Sequence, residues 1–324
     1  MSAASASPAR RPFVIRQELV LLIVLTLALA VLSVTAERFM TVGNLLNQGR
    51  LMTEVALVAL PMTFVIITAG IDLSVGSIMG LTAILLGVFW HNVGLPLPLA
   101  VAAAVACGAL AGAFNGLLIT RLRVPPLIMT LATLALFRGL AEGISQARSV
   151  RGYPEWFFVL GQGEVLGVPT QLWVLAVAVV IFWVVLSRTT FGRSLYAIGH
   201  NETAARYSAI KVDRIKLIVY TLSGLMAGLA GAIFVSRVST TRSDMGTGLE
   251  LDVIAAVVLG GTSIFGGVGT IAGTVLGFTL IQLLKNGLAL TGVKGDATIV
   301  VIGTVLILSI LVTNFLQHRR GSDG

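Results

Sequence analysis

Thr68-Ala69-Gly70-Ile71-Asp72-Leu73-Ser74-Val75-Gly76-Ser77 lies between two apolar runs, Leu51–Ala69 and Ile78–His91. Asp72, Ser74 and Ser77, set among Gly70 and Gly76, interrupt what would otherwise read as hydrocarbon-compatible helix. Non-helical backbone at membrane depth is tolerated only where protein buries it or where it lines a watery cavity, so residues 70–77 read as a broken or re-entrant helix. Gly260-Gly261-Thr262-Ser263-Ile264-Phe265-Gly266-Gly267-Val268-Gly269 repeats the interruption near the other end of the chain. Aligned with one gap, Val257–Gly277 resembles Ile66–Gly87, which suggests an internal duplication. Paired broken helices in two halves of a chain point to a transport pathway. Asp72 also reads as an N-cap for the helix that follows, and capping does not exclude lining a path.

The surrounding sequence suits that reading. Of 324 residues, 56% are apolar and 11% charged, with a mean hydropathy of +0.97. A soluble domain carries about 25% charged residues, so a water-soluble enzyme is excluded and an all-α polytopic membrane protein is expected. Ten apolar runs follow one another: Leu19–Ala36, Leu51–Ala69, Ile78–His91, Leu97–Ile119, Pro126–Ser145, Gln171–Ser187, Leu217–Ser236, Val253–Phe265, Ile271–Leu290 and Thr298–Phe315. They predict about ten transmembrane helices, two of them shorter than a bilayer crossing needs. The layout is a tail over residues 1–18, one transmembrane domain over 19–316 and a second tail over 317–324. The single Cys107 allows no disulfide framework, and His91, His200 and His318 offer no metal-ligand spacing.

The charges test the orientation. With both termini cytoplasmic, thirteen of the twenty-two Lys and Arg fall inside and seven outside, as the positive-inside rule requires. The net charge of +8 then orients the chain in the lipid bilayer and does not signal nucleic acid. Glycines recur every four residues at Gly108, Gly112 and Gly116 and at Gly269, Gly273 and Gly277, a spacing that lets helices pack closely in lipid. Arg138 and Glu142, one turn apart, read as a mutually neutralised pair.

The longest polar stretch between spans is 188–216, with six bases against Glu202 and Asp213. Asn201 is suited to N-cap a short helix, Glu202, Ala204 and Ala205 favour it, and Ile210 and Val212 supply an apolar edge. Such a helix between two spans is a handle for an external motor protein. Here the chain resembles the permeases of sugar-importing ATP-binding-cassette systems, the group that includes the ribose, galactose, arabinose and xylose permeases. The resemblance covers roughly residues 40–316. It rests on Gly70–Ser77, Asn115–Ile119, Gly192-Arg193, Gly199-His200-Asn201-Glu202, Ala204-Ala205, Ser223–Gly228 and Glu250–Gly267. Arg242–Gly246 and Tyr207–Ile210 resemble the branch importing rhamnose or autoinducer-2.

The resemblance implies that Glu202–Ile210 is the coupling helix docking in a groove of the ATPase, with Glu202, Ala204, Ala205, Ser208, Ala209 and Ile210 as its residues. Relatives usually carry Ser-Gly-Ile where this chain has Ser208-Ala209-Ile210, so the turn there is expected to differ. No Gly-x-x-x-x-Gly-Lys-Ser/Thr occurs in the sequence, so ATP is expected on a separate subunit; the chain itself is expected to hold no cofactor or metal. The implied partners are two ATPase subunits, a second permease copy or paralogue, and a periplasmic binding protein that delivers sugar, all at a bacterial inner membrane. Asp72, Ser74, Asn115, Thr262, Ser263 and Asn286 are candidate polar linings of the path. The alternative is an ion-coupled secondary transporter using Asp72 or Glu54 as the ion site, which leaves the basic 188–216 loop without a task.

Overall fold

A computed structural model describes residues 17–146 and 148–293, with positions 297, 300, 303, 304 and 307 beyond them. Residues 1–16, residues 317–324 and the rest of the run Thr298–Phe315 therefore lie outside the described residues. The helices are α1 (Gln17–Thr35), α2 (Val42–Ile67), α3 (Val75–Gly87, extended by a π turn over Val88–Asn92), α4 (Leu97–Arg121) and α5 (Pro126–Ser145). After a 3-10 turn at Glu155–Phe158 come α6 (Val159–Gln162) and a two-stranded hairpin, Glu164–Val165 against Val168–Pro169, in antiparallel register with Glu164 opposite Pro169. The chain continues as α7 (Thr170–Arg188), α8 (Thr190–His200), α9 (Glu202–Tyr207), α10 (Val212–Val238), α11 (Leu249–Leu259) and α12 (Ile271–Leu290).

Eight of these helical stretches are long and apolar enough to cross a bilayer. The chain is a multi-pass membrane protein, and α2 and α10 form its centre. Val55 apart, every residue of α2 from Thr53 to Ile67 is buried. α1, α4, α5 and α7 instead present Leu27, Leu110, Ile128 and Val177 outward, as helices facing lipid do. The glycine spacing has a direct structural cause. A Cβ on Gly112 would stand 2.1 Å from the carbonyl oxygen of Tyr220, and one on Gly108 would stand 2.7 Å from that of Gly224. Gly273 and Gly277 likewise receive the backbone of Gly260 and Ala256. Aromatic packing adds to the α2–α7 contact, where the Phe64 and Phe182 rings lie 5.1 Å apart.

The Val253–Phe265 run is as short as the sequence suggests: α11 has 11 residues, about 16 Å of helix against a hydrocarbon core of about 30 Å. Before it comes an irregular segment, residues 239–248, which the charge pattern assigns to an outer loop. It runs antiparallel along α3. Thr241 lies against Gly87, the Ser243 and Met245 carbonyls against Gly80, and the Gly246 carbonyl against Gly76. Arg138 and Glu142 do not form the expected pair. Arg138 instead donates from Nη1 to the carbonyls of Ser243 (2.5 Å) and Met245 (3.0 Å), capping the backbone acceptors that the irregular segment leaves open.

Candidate functional site

Three irregular segments interrupt the helical bundle, and their side chains are arranged very differently. In the first, between α2 and α3, Asp72 is fully buried at 0% exposure. Its Oδ1 accepts from the Ser74 amide (3.0 Å) and the Ser74 hydroxyl (2.6 Å), and its Oδ2 accepts from the Ser223 hydroxyl of α10 (2.8 Å). Asn115 of α4 donates Nδ2 to Ser74 Oγ at 2.8 Å, and Thr130 of α5 donates to the Ile71 carbonyl at 3.0 Å. The N-cap of α3 is Ser74 rather than Asp72; Asp72 holds the capping residue in place. Asp72, Ser74 and Asn115, three of the candidate lining residues, thus meet in one sealed knot joining α3, α4 and α10. The Asn115 Oδ1 and Tyr220 hydroxyl oxygens beside it are buried without a hydrogen-bond partner.

The second interruption, residues 260–269, is held by backbone geometry. Gly261, Gly266 and Gly267 take positive φ, the left-handed region where glycine costs least. Thr262 is buried, Ser263 accepts from the Phe265 amide (3.3 Å), and Phe265 is exposed. The two interruptions touch, because Gly267 donates its amide to the Ile67 carbonyl at 2.9 Å. Asn286 lies elsewhere, on α12, exchanging side-chain hydrogen bonds with Asn44 at 2.9 and 3.1 Å. The candidate lining residues therefore do not form a single site.

The polar stretch after α7 meets both interruptions. It folds as two helices, where the sequence reading anticipated one; α8 is amphipathic, burying Gly192, Leu195 and Ile198. Its last turn wedges between the interruptions. A Cβ on Gly199 would stand 1.9 Å from the Ile67 carbonyl and 2.3 Å from the Gly267 amide, so only glycine fits that junction without movement. Tyr196 adds a bond from its hydroxyl to the Gly269 carbonyl at 2.7 Å.

Asn201 caps α9 by accepting the Ala204 amide at 2.9 Å, as the sequence predicts. The helix ends at Tyr207, and the turn after it carries Ala209 at φ 61°. Glycine would suit this left-handed conformation, and the alanine here adopts it at a steric cost. The residues expected to couple divide into two sets. Ala205 faces inward, buried against Ile198 and Val212. Glu202 is occupied by Lys216 (2.6 Å) and Arg206 (2.8 Å), and Arg206 also holds Asp213 (2.5 Å). Burial alone would raise the Glu202 carboxyl, but hydrogen bonds from Lys216 and Arg206 outweigh it and hold the group below the usual carboxylate range. Ile210 is half-buried, whereas Ala204, Ser208 and Ala209 face outward. Tyr207, absent from the predicted coupling set, is 89% exposed; its ring in a run of small residues is the signal that could have found it.

The third interruption, 239–248, borders a cleft with α2, α10 and α11 at the end of the bundle away from α9. Glu54 of α2, a candidate ion site in the alternative reading, is buried there and accepts from Arg237 Nε of α10 at 2.8 Å. Lys285 of α12 pairs with Asp252 of α11 at 2.6 Å. Intramembrane charges are expensive and mark functional paths, and here they are neutralised across helices.

Comparison with known proteins gives the context for this geometry. The family model described as "Branched-chain amino acid transport system / permease component" matches residues 44–310. The ribose import permease protein RbsC of Escherichia coli strain K12 is 43% identical over 305 residues, covering 91% of this chain and 93% of the relative. RbsC of Bacillus subtilis strain 168 is 42% identical, covering 87% and 88%. The autoinducer 2 import system permease protein LsrD of Yersinia enterocolitica is 36% identical, covering 94% and 93%. No solved structure matches. A family model spanning most of the chain, and relatives this similar over nearly their whole length, identify the chain as a member of the branched-chain amino acid transport system permease-component family.

Proposed function

We propose that the chain is the membrane-spanning permease of an ATP-binding-cassette importer that carries a monosaccharide or sugar-like solute. A periplasmic binding protein delivers the solute and a separate ATPase drives the cycle. The sugar class follows the names of the relatives, which import ribose or autoinducer 2. The observation that carries the mechanism is the α8–α9 pair. α9 presents Ala204, Tyr207, Ser208 and Ala209 outward, while the end of α8 is wedged against both Ile67 and Gly267.

In this reading the α8–α9 end faces the cytoplasm, both termini are cytoplasmic, and the membrane is a bacterial inner membrane. The ATPase pushes on α9, and α8 passes the displacement to residues 260–269. α11, a rigid rod of about 16 Å, carries it to 239–248, which forms one wall of the far cleft. The Asp72 knot holds α3, α4 and α10 as the fixed body. This is alternating access by rigid-body motion. Two permeases, identical or paralogous, pair in the complete importer. An ion-coupled transporter gains little support, since Glu54 is paired with Arg237 and α9 would have no partner.

The test is uptake of labelled sugar into proteoliposomes holding the permease with and without the ATPase and binding protein encoded alongside it. The expected result is uptake only with ATP and both partners. Uptake driven by a proton or sodium gradient without the ATPase would refute the importer reading.

A further inference from the structure

The cleft at the far end of the bundle encloses about 440 Å³, within the range of sites for small molecules. Glu54, Phe234, Arg237, Thr240, Asp244 and Asp252 are among its walls. Among the described residues, every charged side chain on those walls has a partner of opposite sign: Glu54 with Arg237, Arg242 with Asp244, and Asp252 with Lys285. A cavity with internally balanced charge offers no free counter-ion to a phosphate, a carboxylate or an ammonium group. It still holds unused hydrogen-bonding capacity. Arg237 bonds Glu54 through Nε, and among the described residues its two terminal nitrogens and Glu54 Oε2 have no hydrogen-bond partner. The Arg237 guanidinium lies 4.7 Å from the centre of the Phe234 ring, which fixes its plane. The Thr240 hydroxyl is buried without a partner, and such a group calls for a ligand or water. One wall is the non-helical backbone of residues 239–248.

We propose that this cavity is the cargo site and that it takes a neutral polyhydroxylated solute. The terminal N–H groups of Arg237 and the free oxygen of Glu54 grip adjacent hydroxyls, Phe234 covers a C–H face, and Thr240 takes a further hydroxyl. The inference rests on the importer reading and places its selectivity for neutral sugars in the permease as well as in the delivering protein.

The test uses the assembled complex and whichever of ribose, xylose, galactose and rhamnose the wild-type importer takes up. Arg237→Lys keeps the charge opposite Glu54 but removes the planar fork. ATP-dependent uptake is expected to fall roughly ten- to a hundredfold, while stimulation of ATPase activity by the binding protein stays near wild type. Unchanged uptake, or a parallel loss of uptake and stimulation, would overturn the assignment. Thr247→Cys, at an exposed position on the cavity wall, in a Cys107→Ala background gives a second reading that does not depend on Arg237. Labelling of that thiol by a membrane-impermeant maleimide should slow severalfold when binding protein and the transported sugar are present, and should not slow with the sugar phosphate. Equal labelling rates with and without sugar would overturn the proposal. Uptake by the wild-type permease driven by a proton or sodium gradient without the ATPase would instead defeat the importer reading on which the proposal stands.

Discussion

Residues 68–74 and 239–248 are both irregular segments between helices, and both mix glycine with aspartate, serine and threonine. Their side chains do opposite things. In 68–74 the polar groups turn on one another: Asp72 takes three hydrogen bonds from Ser74 and Ser223 and is sealed from solvent. In 239–248 Arg242, Asp244 and Thr247 remain exposed, and the backbone carbonyls are satisfied by Arg138 from α5. Similar composition therefore produces a locked joint in one place and the wall of a cavity in the other. The difference comes from the neighbours. Three helices supply matched side-chain hydrogen bonds to the first segment, while Arg138, Gln162 and the Val150 backbone support the second.

The largest expected effect breaks the locked joint. Asp72→Ala leaves the Ser74 amide and two hydroxyls buried without their acceptor, at a cost of about 4 kcal/mol. Thermal unfolding of the solubilised protein should fall sharply, and assembly with the ATPase should fail. Gly199→Ala forces a Cβ into the space of the Ile67 carbonyl, costing about 3 kcal/mol by overpacking. Uptake should be lost even where ATPase docking survives, which co-purification would check.

Arg138→Met tests the second segment. The Ser243 and Met245 carbonyls lose their donor, for about 2 kcal/mol. If 239–248 is a cavity wall, uptake should drop more than thermal stability does; equal losses would make it a structural joint like the first. Ala209→Gly, outside both segments, sets the scale of a harmless change. It relieves a positive φ and should stabilise by roughly 0.5–1 kcal/mol, with uptake intact. The smallest effect is in pH. Because the folded Glu202 carboxyl sits below its ordinary value of 4.5, its contribution to stability is present above that value. It is lost only as pH falls through the lower folded one. Unfolding followed from pH 7 downward should therefore show no Glu202-dependent change until below about 4.5, as comparison with Glu202→Gln would reveal.

Much of this was legible in the sequence. The spans from Leu19 to Leu290 were visible as apolar runs, because in lipid every backbone group must be satisfied within its own helix and the composition records it. The interruption at 70–77 was legible because Asp72 cannot sit among glycines in hydrocarbon without partners. The α9 cap was legible because Asn201 has a local role that needs no tertiary context. What was not legible depended on long-range contacts. Arg138 was read against Glu142, four residues away, whereas it serves carbonyls more than a hundred residues on. The packing of 239–248 on α3 and Arg138 was not visible, because nothing in the segment's own composition shows it. Ala205 read as a docking residue because the sequence gives no sign of which face of a six-residue helix is turned to Ile198.

The central claim is that 239–248 moves with the ATP cycle while the Asp72 knot stays fixed, and distances between spin labels test it directly. One pair, at Leu51 and Thr247, spans the cavity; the other, at Ala69 and Leu122, spans the joint, and all four positions are exposed. In the assembled importer with Cys107 replaced, trapping ATP should change the Leu51–Thr247 distance and leave Ala69–Leu122 unchanged. A Leu51–Thr247 distance that stays constant in a complex that still transports sugar would contradict the account.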